Sequence, residues 1–407
     1  MIFYLLFLVF IFFVFELLLQ FLINYLRKDC KWLITEKDDY PEFDQVNFNK
    51  FMDNSFDKEL GWCRKPKTTG KEKGKFGEIV YHIDENGSRQ NSFASETTIA
   101  TFGDSYTFCR QVHDNQTWQA YLSNKLNDKV LNYGVGNYGV DQAYLYYQRQ
   151  LVPSTTKIII LGFVPETICR VQSYWKHYLE FGNTFAFKPR YTLDDGKLNL
   201  HNNLLKNKMN LSEMAQIIEK SRENDEFYEK KFRMMQFRFP YLLRYFVNFN
   251  RNSILLYLLL KKKFLKFFNL PNLVADNTLF SVIMKENINF SHKMYENEEA
   301  VALLEEIIIK FRNLAYKRGH KPLLLVMPQL MDLKVINKKK KNPYHSFFSK
   351  ISTEMPVIDM TQFLNIQNSE DFYIDDLYGG HLSELGNKLV ADKVFDYIDK
   401  LPKSEPK

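Results

Sequence analysis

The chain has 407 residues, of which 45% are hydrophobic and 25% are charged, and its formal net charge is +7 at pH 7. This composition is typical of a globular protein with one sizeable core and an accessory region, and it excludes a mainly disordered chain. The basic residues concentrate in one aromatic-rich stretch, and no nucleic-acid-binding motif accompanies them. We therefore expect a membrane or another anionic partner, and no nucleic acid.

The first 26 residues are almost wholly apolar, and as a helix they would exceed the roughly 30 Å hydrocarbon core of a bilayer. No basic stretch precedes them and no small-residue cleavage site follows, so residues 1–26 are predicted to be a single-pass membrane anchor and not a cleaved signal peptide. Glu16, Gln20 and Asn24 fall on one helical face. Because polar groups are costly in lipid, this face is expected to contact another helix, as in a membrane-protein partner, or to reach the interface through helix tilt.

The anchor is followed by a mixed segment, residues 27–96, which is predicted to be a connector or a cap on the main domain. Arg27, Lys28 and Lys31 favour the cytoplasmic face for that domain by the positive-inside rule, but so few charges leave the membrane face open. A run rich in glycine and lysine, Thr68 to Lys75, is typical of a mobile loop.

From Thr97 onward, hydrophobic patterns of strand and helix alternate. Ile158 to Leu161 form an unbroken apolar run, which suits a central parallel strand buried on both faces. The alternation predicts an α/β fold: three α/β/α layers around a mostly parallel five-stranded sheet, in parts 97–164 and 291–407, with a helical insertion at 165–290. The predicted strands are Thr97–Phe102, Lys129–Asn132, Lys157–Phe163, Leu323–Met327 and Val357–Met360, and the main helices are Thr117–Leu126, Gln142–Leu151, Glu296–Arg318 and Leu385–Leu401, the last burying Leu385, Leu389, Val394 and Ile398.

Ligands of such sheets bind beyond the carboxyl ends of the strands, so the residues after each strand are the candidates for chemistry. Ser105 follows the first strand in the sequence Gly103-Asp104-Ser105, where it is either a helix cap or a nucleophile. A glycine-rich loop, Asn132 to Gly139, follows the second strand, and His381 lies on a glycine-flanked loop before the last helix. A histidine at that edge would supply the general base that a serine hydroxyl needs at neutral pH.

In combination, the segments Ile99 to Ser105, Asn132 to Gln142 and the loop ending in His381-Leu382-Ser383 resemble the SGNH (GDSL-type) hydrolase family. The segments Gly87-Ser88-Arg89 and Thr117-Trp118 are similar to members that act on acyl groups of surface polysaccharides. The resemblance implies Ser105 as nucleophile, His381 as base and Asp376 as the acid that orients it. It also implies an oxyanion hole built from N–H groups at Ser105 and at Gly136 or Asn137, with no cofactor.

The sequence departs from the family pattern at three places. Asn137 stands where the family usually has a glycine, and Tyr378 stands where the acid usually precedes the histidine. After the third strand the chain reads Gly162 to Thr167 without the asparagine that usually donates to the oxyanion. Thr167, Asn137 or a backbone N–H would have to replace that donor, whose loss costs about a hundredfold to a thousandfold in rate. The alternative is therefore a non-catalytic scaffold that binds glycan or a membrane partner.

The insertion carries a basic and aromatic stretch that is expected either to contact membrane lipid or to pack as a lid over the site. Tyr174 and Trp175, early in the insertion, are expected to line the substrate cleft, or else to be aromatic core. The expected substrate is an acyl ester of a glycan or of a lipid-linked molecule. Cysteines and histidines show no CxxC or HExxH spacing, so no metal site is expected. The ten basic residues of the stretch, which holds no acidic one, are Lys230, Lys231, Arg233, Arg238, Arg244, Arg251, Lys261, Lys262, Lys263 and Lys266.

Overall fold

The computed structural model describes residues 2–93, 96–207, 209–270, 276–374 and 380–401. The strands are β1 (Phe56–Asp57), β2 (Gly61–Trp62), β3 (Thr69–Gly74), β4 (Gly77–His82), β5 (Thr97–Gly103), β6 (Lys129–Gly134), β7 (Ile158–Phe163), β8 (Arg190–Asp194), β9 (Lys197–His201), β10 (Lys321–Val326) and β11 (Val357–Asp359). The helices are α1 (Ile2–Leu26), α2 (Gln45–Asn54), α3 (Ser105–Phe108), α4 (Trp118–Leu126), α5 (Val140–Arg149), α6 (Lys176–Leu179), α7 (Met214–Asn224), α8 (Arg233–Met235), α9 (Tyr241–Val247), α10 (Phe249–Phe267), α11 (Asp276–Met294), α12 (Glu298–Lys317), α13 (Leu330–Lys339), α14 (His345–Ile351), α15 (Thr361–Leu364) and α16 (Glu384–Asp399).

The chain divides into two compact units. The first, called the anchor unit here, comprises Met1–Asn49, Ser173–Phe187 and Lys208–Asn287. The second, the sheet unit, comprises Lys50–Gln172, Lys188–Asn207 and Ile288–Lys407. Each unit draws on distant parts of the sequence, so neither corresponds to one continuous segment.

The sheet unit is built on five parallel strands in the order β11-β10-β7-β5-β6. The central strand β7 is buried at all its positions, as its unbroken isoleucine run indicates. Parallel strands place their carboxyl ends at one edge, so the residues after β5, β6 and β7 meet there. The predicted α/β class and the five-stranded sheet are confirmed.

Helices cover both faces of this sheet. Trp118 and Leu122 of α4 and Val390 of α16 share a buried cluster with Ile99 and Ile160. On the opposite face, the alternate strand residue Phe102 contacts the aromatic rings of α5, and Tyr147 of α5 contacts Phe311 of α12. The alternation of side chains along β5 therefore yields the predicted three layers.

Two local expectations are wrong. The glycine- and lysine-rich run Thr68 to Lys75 does not form a loop, because β3 pairs with β4 along its whole length. Gly70 is required there for space, since an added Cβ would lie 2.2 Å from the ring of Tyr81. In α16, Leu385 is 49% exposed instead of buried, and the covered face is formed by Asn387, Val390, Ala391 and Val394.

The anchor unit contains the one helix, among the described residues, that is long and apolar enough to cross a membrane. Most of α1 is exposed, but Ile23 and Leu26 near its end pack with Leu255 and Leu259 of α10. Glu16 is only 3% exposed. Its carboxylate accepts hydrogen bonds from the backbone N–H groups of Tyr241 and Leu242 at the start of α9. The expected contact of this helix face with a separate membrane protein stays a prediction.

Candidate active site

Ser105 is the first residue of α3, directly beyond the carboxyl end of β5. The turn before it is fixed by Asp104, whose carboxylate accepts hydrogen bonds from the N–H of Tyr106 (2.8 Å) and of Val164 (3.1 Å). The second bond ties the turn to the end of β7. Gly103 is needed because an added Cβ would lie 2.5 Å from the carbonyl oxygen of Gly162. The capping role that the sequence allowed for Ser105 therefore belongs to Asp104, and the Ser105 hydroxyl is not needed as a cap.

The structure brings His381 to this hydroxyl, with its Nε2 2.9 Å from the Oγ of Ser105. The two residues are 276 positions apart in the sequence. Antiparallel pairing holds the loop, since the N–H of Ile374 donates to the His381 carbonyl (2.9 Å) and that of Ser383 donates to the Phe372 carbonyl (2.8 Å). His381 is 4% exposed, so the ring has little freedom to turn away.

Tyr106, the residue after the serine, is a further support for His381. Its ring packs against the imidazole, with the ring centroids 5.1 Å apart. Its hydroxyl donates a hydrogen bond to the carbonyl of Gly380, the residue before His381. Burial raises the pKa of the Tyr106 phenol well above its usual value, so the hydroxyl keeps its proton and remains a donor. The dipeptide Ser105-Tyr106 thus supplies the serine and also the side chain that supports His381.

The imidazole of His381 is neutral at neutral pH. Burial lowers its pKa well below the usual 6.5, and the guanidinium groups of Arg110 and Arg170 lower it further. A neutral ring can accept a proton through the nitrogen that faces Ser105, as a general base must.

The other ring nitrogen, Nδ1, is buried and has no hydrogen-bond partner among the residues that the structure describes. In a serine hydrolase this nitrogen donates to a carboxylate, which fixes the tautomer and stabilises the imidazolium. Asp375 and the predicted acid Asp376 belong to residues 375–379, which lie outside the described residues. The assignment of Asp376 therefore stays a prediction.

The loop after β6 carries the predicted oxyanion residues Gly136 and Asn137. Asn137 has a φ of +70°, a left-handed conformation that asparagine adopts more readily than most residues and that the family's glycine adopts freely. The indole N–H of Trp62 donates to the Gly136 carbonyl (3.0 Å) and so restrains this loop. The Arg110 side chain lies beside it, with its Cδ 4.0 Å from where a Gly136 Cβ would be.

The end of β7, where the family's asparagine is missing, carries a buried charged network instead. Glu166 accepts a hydrogen bond from the side-chain amide of Gln329 and lies 3.5 Å from Arg170, which itself donates to the Tyr138 carbonyl. The hydroxyl of Thr167 donates to the Val164 carbonyl (2.7 Å), and the side chain is buried. Its predicted part in substrate or oxyanion binding stays a prediction.

Tyr174 and Trp175 belong to the anchor unit, whereas Ser105 and His381 belong to the sheet unit. Both aromatic residues are buried, and the Trp175 ring stacks on that of Phe187 with centroids 4.7 Å apart. Their backbone N–H groups donate to the Asp225 carboxylate. This describes an aromatic core, and their expected part in a substrate cleft stays a prediction.

Sequence reasoning assigned no role to three residues that shape the site. Tyr106 adjoins the serine, and Asn387 donates to the carbonyls of Leu382 and Ser383 just after His381. Arg89 is buried and donates to the carbonyls of Phe108, Cys109 and Val112, which follow α3. Arg89 stands inside the recognised segment Gly87-Ser88-Arg89, but its pairing with distant carbonyls leaves no periodic signal; Tyr106 directly follows the Ser105 motif, and Asn387 lies four residues beyond Ser383.

No family model matches the sequence, and no curated protein matches it. A solved structure from Desulfitobacterium hafniense, assigned to the G-D-S-L family of lipolytic proteins, is similar to this chain with 11% identity. The similarity covers 74% of this chain and 99% of that one, with a TM-score of 0.35. Among the described residues, no three His, Cys, Asp or Glu side chains form a group that could hold a metal ion.

Proposed function

We propose that this chain is a serine esterase or O-acyltransferase of the SGNH type, held at a membrane by α1. The observation that carries the proposal is the 2.9 Å contact between Ser105 Oγ and His381 Nε2 at the carboxyl edge of the parallel sheet. A buried, neutral imidazole in contact with a serine hydroxyl is the arrangement that activates a serine nucleophile. No comparable role for the pair in stability is apparent, because Asp104 already caps α3.

The reaction follows from this geometry. Ser105 Oγ attacks the acyl carbon of an ester while His381 Nε2 takes the hydroxyl proton. Backbone N–H groups at Ser105 and at Gly136 or Asn137 would hold the negative oxygen of the tetrahedral intermediate. Its collapse breaks the ester bond, and the departing alcohol takes the proton from His381. Water or a sugar hydroxyl then attacks the acyl-serine by the reverse route and frees Ser105.

The proposed substrate is an acyl ester on a glycan or on a lipid-linked molecule. The support is the apolar helix α1, which would hold the enzyme at a membrane where such molecules are concentrated. Hydrolase and transferase use the same serine and histidine and differ in the acceptor that reaches the acyl-enzyme.

A second candidate is a non-catalytic scaffold that binds glycan or a membrane partner. It is favoured by the end of β7, where Glu166, Arg170 and Gln329 form a network in place of the family's amide donor. In this network the donors of Arg170 and Gln329 are directed to the Glu166 carboxylate, so fewer donors remain for an oxyanion.

The test is covalent labelling of the detergent-solubilised full-length chain with a fluorophosphonate, followed by mapping of the labelled residue. We expect the label on Ser105, and we expect Ser105→Ala to abolish both labelling and hydrolysis of p-nitrophenyl acetate with the melting temperature nearly unchanged. Ser352→Ala, at an exposed helix end, is the matched control and should retain both. A parent protein that neither labels nor hydrolyses the ester would establish the scaffold.

A further inference from the structure

The depth of Glu16 in a membrane follows from the length of α1. A helix needs about 20 residues to cross the hydrocarbon core. The helix runs from Ile2 to Leu26, and every stretch of that length within it contains Glu16. Glu16 then lies at least about five residues, or roughly 8 Å, from the nearer end of the spanning stretch. Whatever Glu16 contacts is therefore within the hydrocarbon region as well.

The contact of Glu16 is the start of α9. Its two carboxylate oxygens accept the N–H groups of Tyr241 and Leu242, which are the first two residues of that helix. Alone in lipid, the carboxylate and the free N–H groups of a helix end would each be costly. Together they are satisfied, because a negative charge at a helix N-terminus is favoured by the hydrogen bonds and by the helix dipole.

The chain before α9 runs along α1 towards this point. The N–H of Phe237 donates to the carbonyl of Ile34, beyond the end of α1. Two residues later, the Phe239 ring stacks on that of Phe13, with centroids 6.5 Å apart and planes at 12°. Thr35 and Glu36, which follow Ile34, share a cleft with Gln20 of α1 and with Tyr241, so the segment 237–240 joins α1 beside Gln20 and leads α9 to Glu16.

The outer surface of α9 is mostly apolar, and Arg244 is the charged residue of this helix. Leu243, Phe246 and Val247 are exposed, and Phe246 is 62% exposed. No acidic residue occurs between Lys230 and Phe268. A contiguous exposed apolar surface of this kind is rare on proteins surrounded by water.

Helix α10 lies across the end of α1. Arg251 donates to the Trp32 carbonyl (2.7 Å), and Lys263, about 18 Å further along the helix, pairs with Asp29 (2.5 Å). Both contacts lie just beyond α1. The exposed side of α10 carries Phe264 and other apolar residues, which share an open cleft with lysines and with Tyr25 of α1; interfacial helices combine apolar and basic residues in this way. The exposed apolar residues are Ile254, Tyr257, Leu260, Phe264 and Phe267, and the lysines are Lys261, Lys263 and Lys266.

We infer that α9 is embedded in the bilayer beside α1 and that α10 lies in the headgroup layer, where its lysines meet anionic lipid. The partner is a bilayer containing anionic phospholipid. The inference rests on the anchoring role proposed for α1 and is independent of the chemistry proposed for Ser105. The anchor would then be a helical assembly with a wide lipid-facing surface instead of a single helix.

The experiment places an environment-sensitive fluorophore on single introduced cysteines of the full-length chain. The protein is reconstituted in phosphatidylglycerol-containing vesicles with a doxyl quencher placed either shallow or deep in the lipid chain. The four native cysteines are buried, and the unmodified chain measures their background labelling. Probes replace Leu8 in α1, Phe246 in α9 and Phe264 in α10, and Val46→Cys, at a 74% exposed apolar position of α2, is the matched control.

We expect clear lipid quenching at Leu8→Cys and at Phe246→Cys, shallow quenching at Phe264→Cys and none at Val46→Cys. Quenching at Leu8→Cys with the Phe246 probe as unquenched as the Val46 probe would overturn the inference and leave the anchor standing. Absence of quenching at Leu8→Cys as well would overturn the anchoring proposal and this inference together.

A second variant tests the link through Glu16. Glu16→Leu makes α1 more apolar, so a lone anchor should insert at least as well. If the carboxylate holds α9 in the bilayer, this change should release α9, and the Phe246 probe should lose its quenching while the Leu8 probe keeps it. Glu16→Gln retains one acceptor oxygen and should retain part of the quenching. An unchanged Phe246 signal in Glu16→Leu would show that Glu16 does not set the depth of α9.

Discussion

Replacing Tyr106 by phenylalanine isolates the support that this residue gives to His381. The change keeps the ring, whose centroid is 5.1 Å from that of the imidazole, and removes only the hydroxyl that donates to the Gly380 carbonyl. A buried carbonyl left without its donor costs about 1–3 kcal/mol. Part of this cost lowers the stability of the folded protein. The rest can be avoided if the loop moves so that the Gly380 carbonyl finds another donor, which would shift His381 away from Ser105. We expect the rate to suffer because the 2.9 Å contact depends on that loop.

The expected result for Tyr106→Phe is a roughly tenfold fall in kcat on p-nitrophenyl acetate, which corresponds to about 1.4 kcal/mol, with KM nearly unchanged. The rate of fluorophosphonate labelling of Ser105 should fall by a similar factor. The matched control is Tyr121→Phe, which removes a hydroxyl that donates to Glu384 (2.7 Å) at the start of α16. That change should lower the melting temperature modestly and leave both rates intact.

The reasoning is refuted if Tyr106→Phe loses stability like Tyr121→Phe but keeps its labelling rate. A merely structural hydroxyl would give that pattern. A rise in KM with kcat unchanged would also contradict it, because a displaced base acts on the chemical step and not on binding.

Three other predictions follow from the site and its surroundings. Asp376→Asn should lower kcat by about 10⁴ if Asp376 holds the Nδ1 of His381, whereas Asp375→Asn should change it little, and steady-state kinetics distinguishes the two. Burial holds the pKa of His381 well below 6.5, so below that pH the unfolded chain binds a proton that the folded chain does not bind. The free energy of unfolding should therefore fall as the pH drops below about 6.5. Urea unfolding at several pH values would show this fall, and a flat profile would contradict it. Arg89→Met should lower the free energy of unfolding by about 3–5 kcal/mol, because it removes the buried cation beside Asp114, which keeps its contacts with His82, and takes the donor from three carbonyls. Arg312→Met, whose partner Glu354 is exposed, should change it little, and equal midpoints of urea unfolding for the two variants would refute the role of Arg89.

Periodicity predicted the sheet because each strand has a local signature. The isoleucine run of β7 and the spacing of the apolar residues of α12 can be recognised from the local sequence alone. Both elements lie within two residues of the predicted bounds. The hairpin β3–β4 was missed because its lysines and glycines are typical of loops. The composition of β3 does not show that β4 pairs with it or that the Tyr81 ring packs over Gly70.

Motif order predicted which residues would meet, but not what would hold them. The Ser105–His381 contact follows from two motifs at the same sheet edge. The role of Glu16 could not be predicted, because the pattern showed a polar face on α1 but not the start of α9, which is 225 positions away. The network around Glu166 was equally hidden, since Gln329 reaches it from the loop after another strand.

The glycines at the ends of three adjacent strands limit how this site can change. An added Cβ would lie 2.2 Å from Thr107 Oγ1 at Gly103, 1.9 Å from the same atom at Gly162, and 2.2 Å from the Phe108 backbone nitrogen at Gly134. Helix α3 therefore packs directly against the backbone of these three glycines. A larger residue at any of them would displace Ser105 as well as change the cleft. Variation that reshapes this site without moving Ser105 would therefore have to arise outside these three glycines, in the surrounding loops.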